Sequence, residues 1–145
     1  MLRGRRALTA VALLVALACD GAPALECQPG TVATDSGLRF RDIRCGRGTP
    51  ARRGDLVTVR YRGRLEGGRA LEPGAPGGRR FTFPLGRGQV IPGWDEGLVG
   101  MRPGGERRLV VPPELAFGTA GYPGEVPAGA TLVFRVELLE VRARP

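Results

Sequence analysis

One run, residues 90–117, limits the architecture more than any other part of the chain. It reads Val-Ile-Pro-Gly-Trp-Asp-Glu-Gly-Leu-Val-Gly-Met-Arg-Pro-Gly-Gly-Glu-Arg-Arg-Leu-Val-Val-Pro-Pro-Glu-Leu-Ala-Phe. Pro92-Gly93 can open a helix, and Trp94, the single tryptophan, shares a helical face with Leu98 and Met101. Gly104-Gly105 ends that helix, a β-like run follows from Arg107 to Val111, and Pro112-Pro113 stops it. One short helix set between strands, with one large ring aimed inward, is the expectation.

The rest of the chain from Gly37 onward reads as short strands. In Val57–Leu65, Val57, Val59, Tyr61 and Leu65 share one face, while Thr58 and three arginines share the other, the pattern of a half-buried antiparallel strand. Phe81, Phe83 and Leu85 repeat the alternation, and Pro84 among them points to an edge strand or a bulge, since it has no N–H for the ladder. Leu132, Phe134, Val136 and Leu138 supply a further inward set. Glu66-Gly67-Gly68 reads as a hairpin turn and residues 72–78 as a glycine- and proline-rich loop. A chain of 145 residues with 24 Gly and 13 Pro has room for one turn-rich domain, not two.

The amino-terminus reads as an export signal over residues 1–24. Arg3, Arg5 and Arg6 precede an apolar stretch from Ala7 to Ala18, and small-residue cleavage sites follow at Ala16-Leu17-Ala18 and Ala22-Pro23-Ala24. The stretch is shorter than the ~20 apolar residues of a membrane-spanning helix. Arg5-Arg6 is similar to part of a twin-arginine signal, and the destinations open are bacterial periplasm, thylakoid lumen and a eukaryotic secretory route. Residues 25–36 then read as an amino-terminal arm and residues 37–145 as the domain. Cys27 and Cys45 would reach a compartment that permits disulfides, where they form either one bond or two independent thiols.

Composition excludes much chemistry. Without histidine there is no Ser-His or Cys-His nucleophile, and without lysine there is no P-loop or Schiff base. Zinc-ligand spacings are missing as well, so no metal and no cofactor is expected. Asp95 and Glu96 fall in the first helical turn, where they complement the macrodipole better than they serve acid-base catalysis. The formal net charge of +8 could attract nucleic acid or an anionic membrane. All basic residues are arginine, however, a usage that looks like genomic codon bias. Arg60, Arg62, Arg64, Arg69 and Arg135 are spread among apolar residues without an aromatic platform for bases, and read as a solvated face rather than a nucleic-acid surface.

What remains is an apolar, aromatic pocket, and its residues are similar to a known family. Gly54-Asp55 through Tyr61-Arg62-Gly63, then Val90–Gly97, Pro112–Gly118, Val126-Pro127 and Ala130–Phe134 closely resemble the FKBP-type peptidyl-prolyl cis-trans isomerases over Gly37 to Val141. The resemblance implies an α+β fold, a twisted antiparallel sheet wrapped around one short helix. It also implies catalytic roles for Tyr61, Phe81, Trp94, Phe117 and Phe134, with Trp94 as pocket floor. Substrate contacts would come from Leu71, Glu72, Val90, Ile91, Tyr122 and Val126, with the Ile91 N–H donating to a peptide carbonyl.

Two departures from the family pattern stand out. Phe117 occupies a position where the family commonly has Tyr, and Leu71-Glu72 stands where it commonly has Phe and Asp. The implied partners are proline-containing polypeptides, with macrolide inhibitors bound less tightly, and the implied state is a monomer. The alternative is a non-catalytic module that holds a peptide or assembly partner in the same cleft.

Overall fold

The computed structural model describes Cys27, residues 29–71 and residues 77–144; the expected export signal and Glu72 lie outside the described residues. Six strands form one antiparallel sheet: β1 (Thr31–Ala33), β2 (Arg39–Arg44), β3 (Leu56–Leu65), β4 (Arg79–Pro84), β5 (Glu106–Val111) and β6 (Leu132–Arg142). Their spatial order is β1-β2-β5-β6-β3-β4, and a short helix α1 (Pro92–Gly97) lies against the sheet. The class is α+β. The expected arm over residues 25–36 contributes β1, whose Val32 pairs with Phe40, so the sheet begins before the expected boundary at Gly37. An edge strand of three residues is held by its neighbour's ladder more than by its own sequence pattern, which is why alternation does not reveal it.

Alternation produces the core directly. Val57 and Val59 on β3, and Leu132, Phe134, Val136 and Leu138 on β6, are buried beneath the helix, while Arg60 and Arg135 point away from it. β3 and β6 form the longest pairing, from Leu56 opposite Arg142 to Leu65 opposite Leu132, with a register slip between Thr58 and Val59 that bends the sheet. Pro84 ends β4, which lies at the sheet edge, so its missing donor leaves no ladder bond broken.

Two glycines set the depth of the helix. A Cβ on Gly93 would fall 2.5 Å from Val111 Cγ1, and one on Gly97 would fall 2.9 Å from Leu109 Cδ2. With only hydrogens there, α1 rests directly on β5, and Trp94, Leu98 and Met101 are buried together.

A buried ion pair locks the same contact. Arg107 on β5 is 1% exposed and donates to both Asp42 carboxylate oxygens, at 2.6 and 3.2 Å. Its remaining nitrogen donates to the Gly97 carbonyl at 2.8 Å, at the end of α1, and its guanidinium lies 4.4 Å from the Phe40 ring centre. The helix end therefore has a cationic partner although the sequence places no basic residue in its last turn. Nearby, Cys27 and Cys45 are joined as a disulfide with a Cα separation of 5.6 Å, tying the segment before β1 to the end of β2.

Candidate active site

The concave side of the sheet and the helix enclose an open cavity of about 820 Å³. β3 supplies Tyr61 to it, β4 Phe81, β6 Phe134 and α1 Trp94; Val90 and Ile91 come from the segment that enters the helix. Leu71 follows β3, and Phe117, Tyr122 and Val126 come from the connection between β5 and β6. Of the residues singled out from the sequence as site residues around the pocket, Glu72 alone lies outside the described residues. Trp94 lies at the bottom, with Tyr61 edge-on at 4.8 Å between ring centres and Phe134 edge-on at 5.3 Å. Phe83 backs the indole at 5.9 Å and stacks at 5.4 Å on Phe81, carrying the aromatic surface from the core to the rim. Edge-to-face packing of this kind fixes ring orientations as well as burying area.

Two loops carry the remaining walls. Asp95 accepts hydrogen bonds from the Gly86 and Gly88 N–H groups, at 2.8 and 2.9 Å, which holds the loop that delivers Val90 and Ile91. Asp95 stands in the first helical turn, as expected from the sequence, and both carboxylates also bond to neighbouring segments. Asp95 binds the preceding loop, and Glu96 accepts from the Ser36 hydroxyl at 2.7 Å, because a helix of six residues brings both carboxylates within reach of neighbouring segments. On the other side, Tyr122 and Val126 exchange two backbone hydrogen bonds of 2.8 Å, and Gly129 N–H donates to the Gly118 carbonyl at 2.9 Å. This closed loop presents Phe117 and Tyr122 with ring centres 5.7 Å apart, both partly exposed at the mouth.

The cavity is also lined by residues not singled out from the sequence as site residues: Arg62, read there as part of a solvated face, with Gly63, Ala70, Gly77, Gly78, Arg79 and Glu125. Gly63 has a clear physical reason. A Cβ there would lie 2.7 Å from Phe134 Cε1, so the Phe134 ring occupies the space above a bare backbone. A glycine interrupting an otherwise regular strand is the sequence signal of such a close approach. The polar side chains of the lining are Tyr61, Arg62, Arg79, Tyr122 and Glu125, and the backbone adds a donor. Ile91 N–H has no intramolecular hydrogen-bond partner among the described residues, and it stands at the cavity wall as a donor. Trp94 Nε1 is buried without a partner among them, so the indole is placed by its rings rather than by its N–H. The described residues offer a largely apolar box and an oriented donor, an arrangement that suits a change of conformation.

Comparison with known proteins agrees with that chemistry. The family model described as FKBP-type peptidyl-prolyl cis-trans isomerase matches residues 48–139. Peptidyl-prolyl cis-trans isomerase FKBP2 of Mus musculus is 49% identical over 94 residues, covering 65% of this chain and 67% of that protein. FK506-binding protein 4 of Aspergillus fumigatus is 45% identical over 106 residues, covering 73% of this chain but 21% of the fungal protein, so the chain spans about a fifth of that relative's length. The crystal structure of FkpA from Escherichia coli superposes with a TM-score of 0.71 at 41% identity, covering 81% of this chain and 54% of that one. The chain belongs to the FKBP-type peptidyl-prolyl cis-trans isomerases, enzymes that rotate the bond preceding proline.

Proposed function

We propose that this isomerase is exported and accelerates the folding of proline-containing polypeptides, binding the X-Pro segment in the aromatic cavity. The observation that carries the reading is the convergence of Tyr61, Phe81, Trp94 and Phe134 on one cavity beside the unpartnered Ile91 N–H. The proline ring rests on the Trp94 indole, and the Ile91 N–H holds the carbonyl that follows it. Tyr61 orients the amide under rotation.

The barrier of ~18–20 kcal/mol comes from amide resonance, which makes the planar peptide bond more polar than its twisted transition state. A desolvated apolar wall destabilises the planar form relative to the twisted one and lowers the barrier without breaking a bond. Each role follows from placement: a flat apolar floor, an aromatic wall on each side and one donor at the rim.

Export is supported by the basic and apolar leader and by the Cys27–Cys45 bond, which persists in oxidising compartments. The periplasm, the thylakoid lumen and the secretory pathway all meet that condition. The fungal relative's name, FK506-binding protein, supports a macrolide as a further occupant of the cleft, held less tightly here because Phe117 has no hydroxyl to donate. The protein acts on its peptides as a monomer, without a cofactor.

The test is cis-to-trans conversion of a peptide with an apolar residue before proline. The folded full chain accelerates it, and Trp94→Leu, verified as folded by circular dichroism, loses most of the acceleration. A folded sample that gives no acceleration overturns the reading. The second reading, a holding module without catalysis, is favoured by the missing hydroxyl at Phe117 and by Leu71 in place of an aromatic wall. It requires peptide affinity with no rate enhancement, so a binding titration beside the rate assay separates the two.

A further inference from the structure

The sheet has a second face, and its charge pattern emerges only from the strand register. On β2, Arg41 lies opposite Arg108 of β5; Arg108 lies opposite Arg135 of β6; Arg135 lies opposite Arg62 of β3. Four arginines thus form one continuous row across four strands, all exposed and all on the side away from α1. The next row reads Arg44, Glu106, Glu137, Arg60 and Arg80, and the row on the other side reads Arg39, Val110, Val133 and Arg64. Arg135 donates to Glu106, and Glu137 takes Arg44 and Arg60 at 3.3 and 3.5 Å. Those carboxylates are then shared. Arg41, Arg62 and Arg108 have no ion pair among the described residues. Like charges directly opposite in a sheet destabilise it, so this face retains an unfavourable arrangement that an anionic partner relieves.

We infer that this face docks on an anionic phospholipid bilayer. The array is two-dimensional, about 15 Å across four strands at ~4.8 Å each, with rows roughly 7 Å apart along them. A plane of phosphate headgroups meets the exposed arginines of all three rows together, around the Glu106–Glu137 pair and the buried Val110 and Val133, whereas an extended acidic peptide meets one row. The outward strand positions carry no aromatic ring on which nucleobases could stack. Apart from Arg62, which borders both, the cavity lining lies on the opposite side of the sheet, so a docked molecule keeps its mouth toward the aqueous phase.

The test is cosedimentation of the full chain with phosphatidylcholine vesicles containing phosphatidylglycerol, against vesicles of phosphatidylcholine alone, at low and high salt. Arg41→Gln/Arg64→Gln/Arg108→Gln shares the leader segment with the parent, so the difference between the two reports the sheet face. Each arginine near an anionic surface is worth roughly a fivefold change in partition, so the triple variant binds the anionic vesicles about a hundredfold more weakly. The corresponding Arg→Lys variant keeps binding, and thermal melts confirm that both remain folded. Equal binding to the two vesicle types, or no loss in the glutamine variant, overturns the proposal. Tighter binding to a DNA duplex than to anionic vesicles at matched phosphate concentration overturns it also.

Discussion

Replacing Gly63 with alanine tests whether the Phe134 wall depends on a bare backbone at β3. The new carbon would lie 2.7 and 2.9 Å from Phe134 Cε1 and Cδ1 and 3.2 Å from Leu71 Cδ1. Phe134 is buried and held edge-on to Trp94 at 83°, so its ring cannot swing away without opening that contact. Gly63 is not among the glycines with positive φ, so alanine fits the backbone and the penalty is steric. Overpacking of this kind costs ~1–3 kcal/mol, offset by ~0.4–1 kcal/mol because alanine restricts the unfolded chain. A net loss of about 1–2 kcal/mol follows, read as a lower urea midpoint with unchanged slope. In a Phe134→Leu background the obstructing ring edge is absent, so the same alanine costs less, with a coupling of at least ~1 kcal/mol. The displaced ring also lowers kcat/KM toward an apolar-residue–Pro peptide by roughly tenfold or more. Parent-like stability of Gly63→Ala, or additive effects in the double variant, refutes the reasoning.

Three further outcomes are expected. Arg107→Ala leaves Asp42 buried without its cation and frees the Gly97 carbonyl, so urea unfolding reports a loss of ~3–5 kcal/mol, of which Arg107→Met with Asp42→Leu recovers a large part. The pair Cys27→Ser and Cys45→Ser removes a cross-link of sequence separation 18, worth ~3 kcal/mol on chain-entropy grounds, and reductant lowers the melting temperature of the parent but not of this variant. Phe117→Tyr supplies a hydroxyl at the cavity mouth, where one hydrogen bond of ~0.5–1.5 kcal/mol tightens macrolide binding by about 2–13-fold in a calorimetric titration.

Periodicity alone makes the central strands and the helix legible in the sequence. Val57, Val59 and Tyr61 point one way because a strand repeats every two residues, and Trp94, Leu98 and Met101 group because a helical turn brings them together. The candidate site follows from the same patterns joined to the family resemblance. Less legible are features made by residues distant in sequence. Arg107 looks like a solvated charge until the register sets it beside Asp42, and Gly63 looks like a weak strand position until Phe134 lies over it. The arginines of the outer face read as scattered because their alignment runs across four strands, perpendicular to the direction in which a sequence is read.

The bond from Asp95 to the Gly86 and Gly88 N–H groups has a consequence for affinity. Asp95 is not part of the cavity lining, and its carboxylate reaches back to a loop whose far end carries Val90 and Ile91. Fixing one residue's backbone costs ~1–2 kcal/mol, and here that ordering is completed when the chain folds, before a ligand arrives. A proline segment entering the cleft meets a donor already in position. Selection for tighter or looser binders can therefore act at Asp95, out of contact with any ligand, by changing how much of the wall must be ordered at the moment of binding.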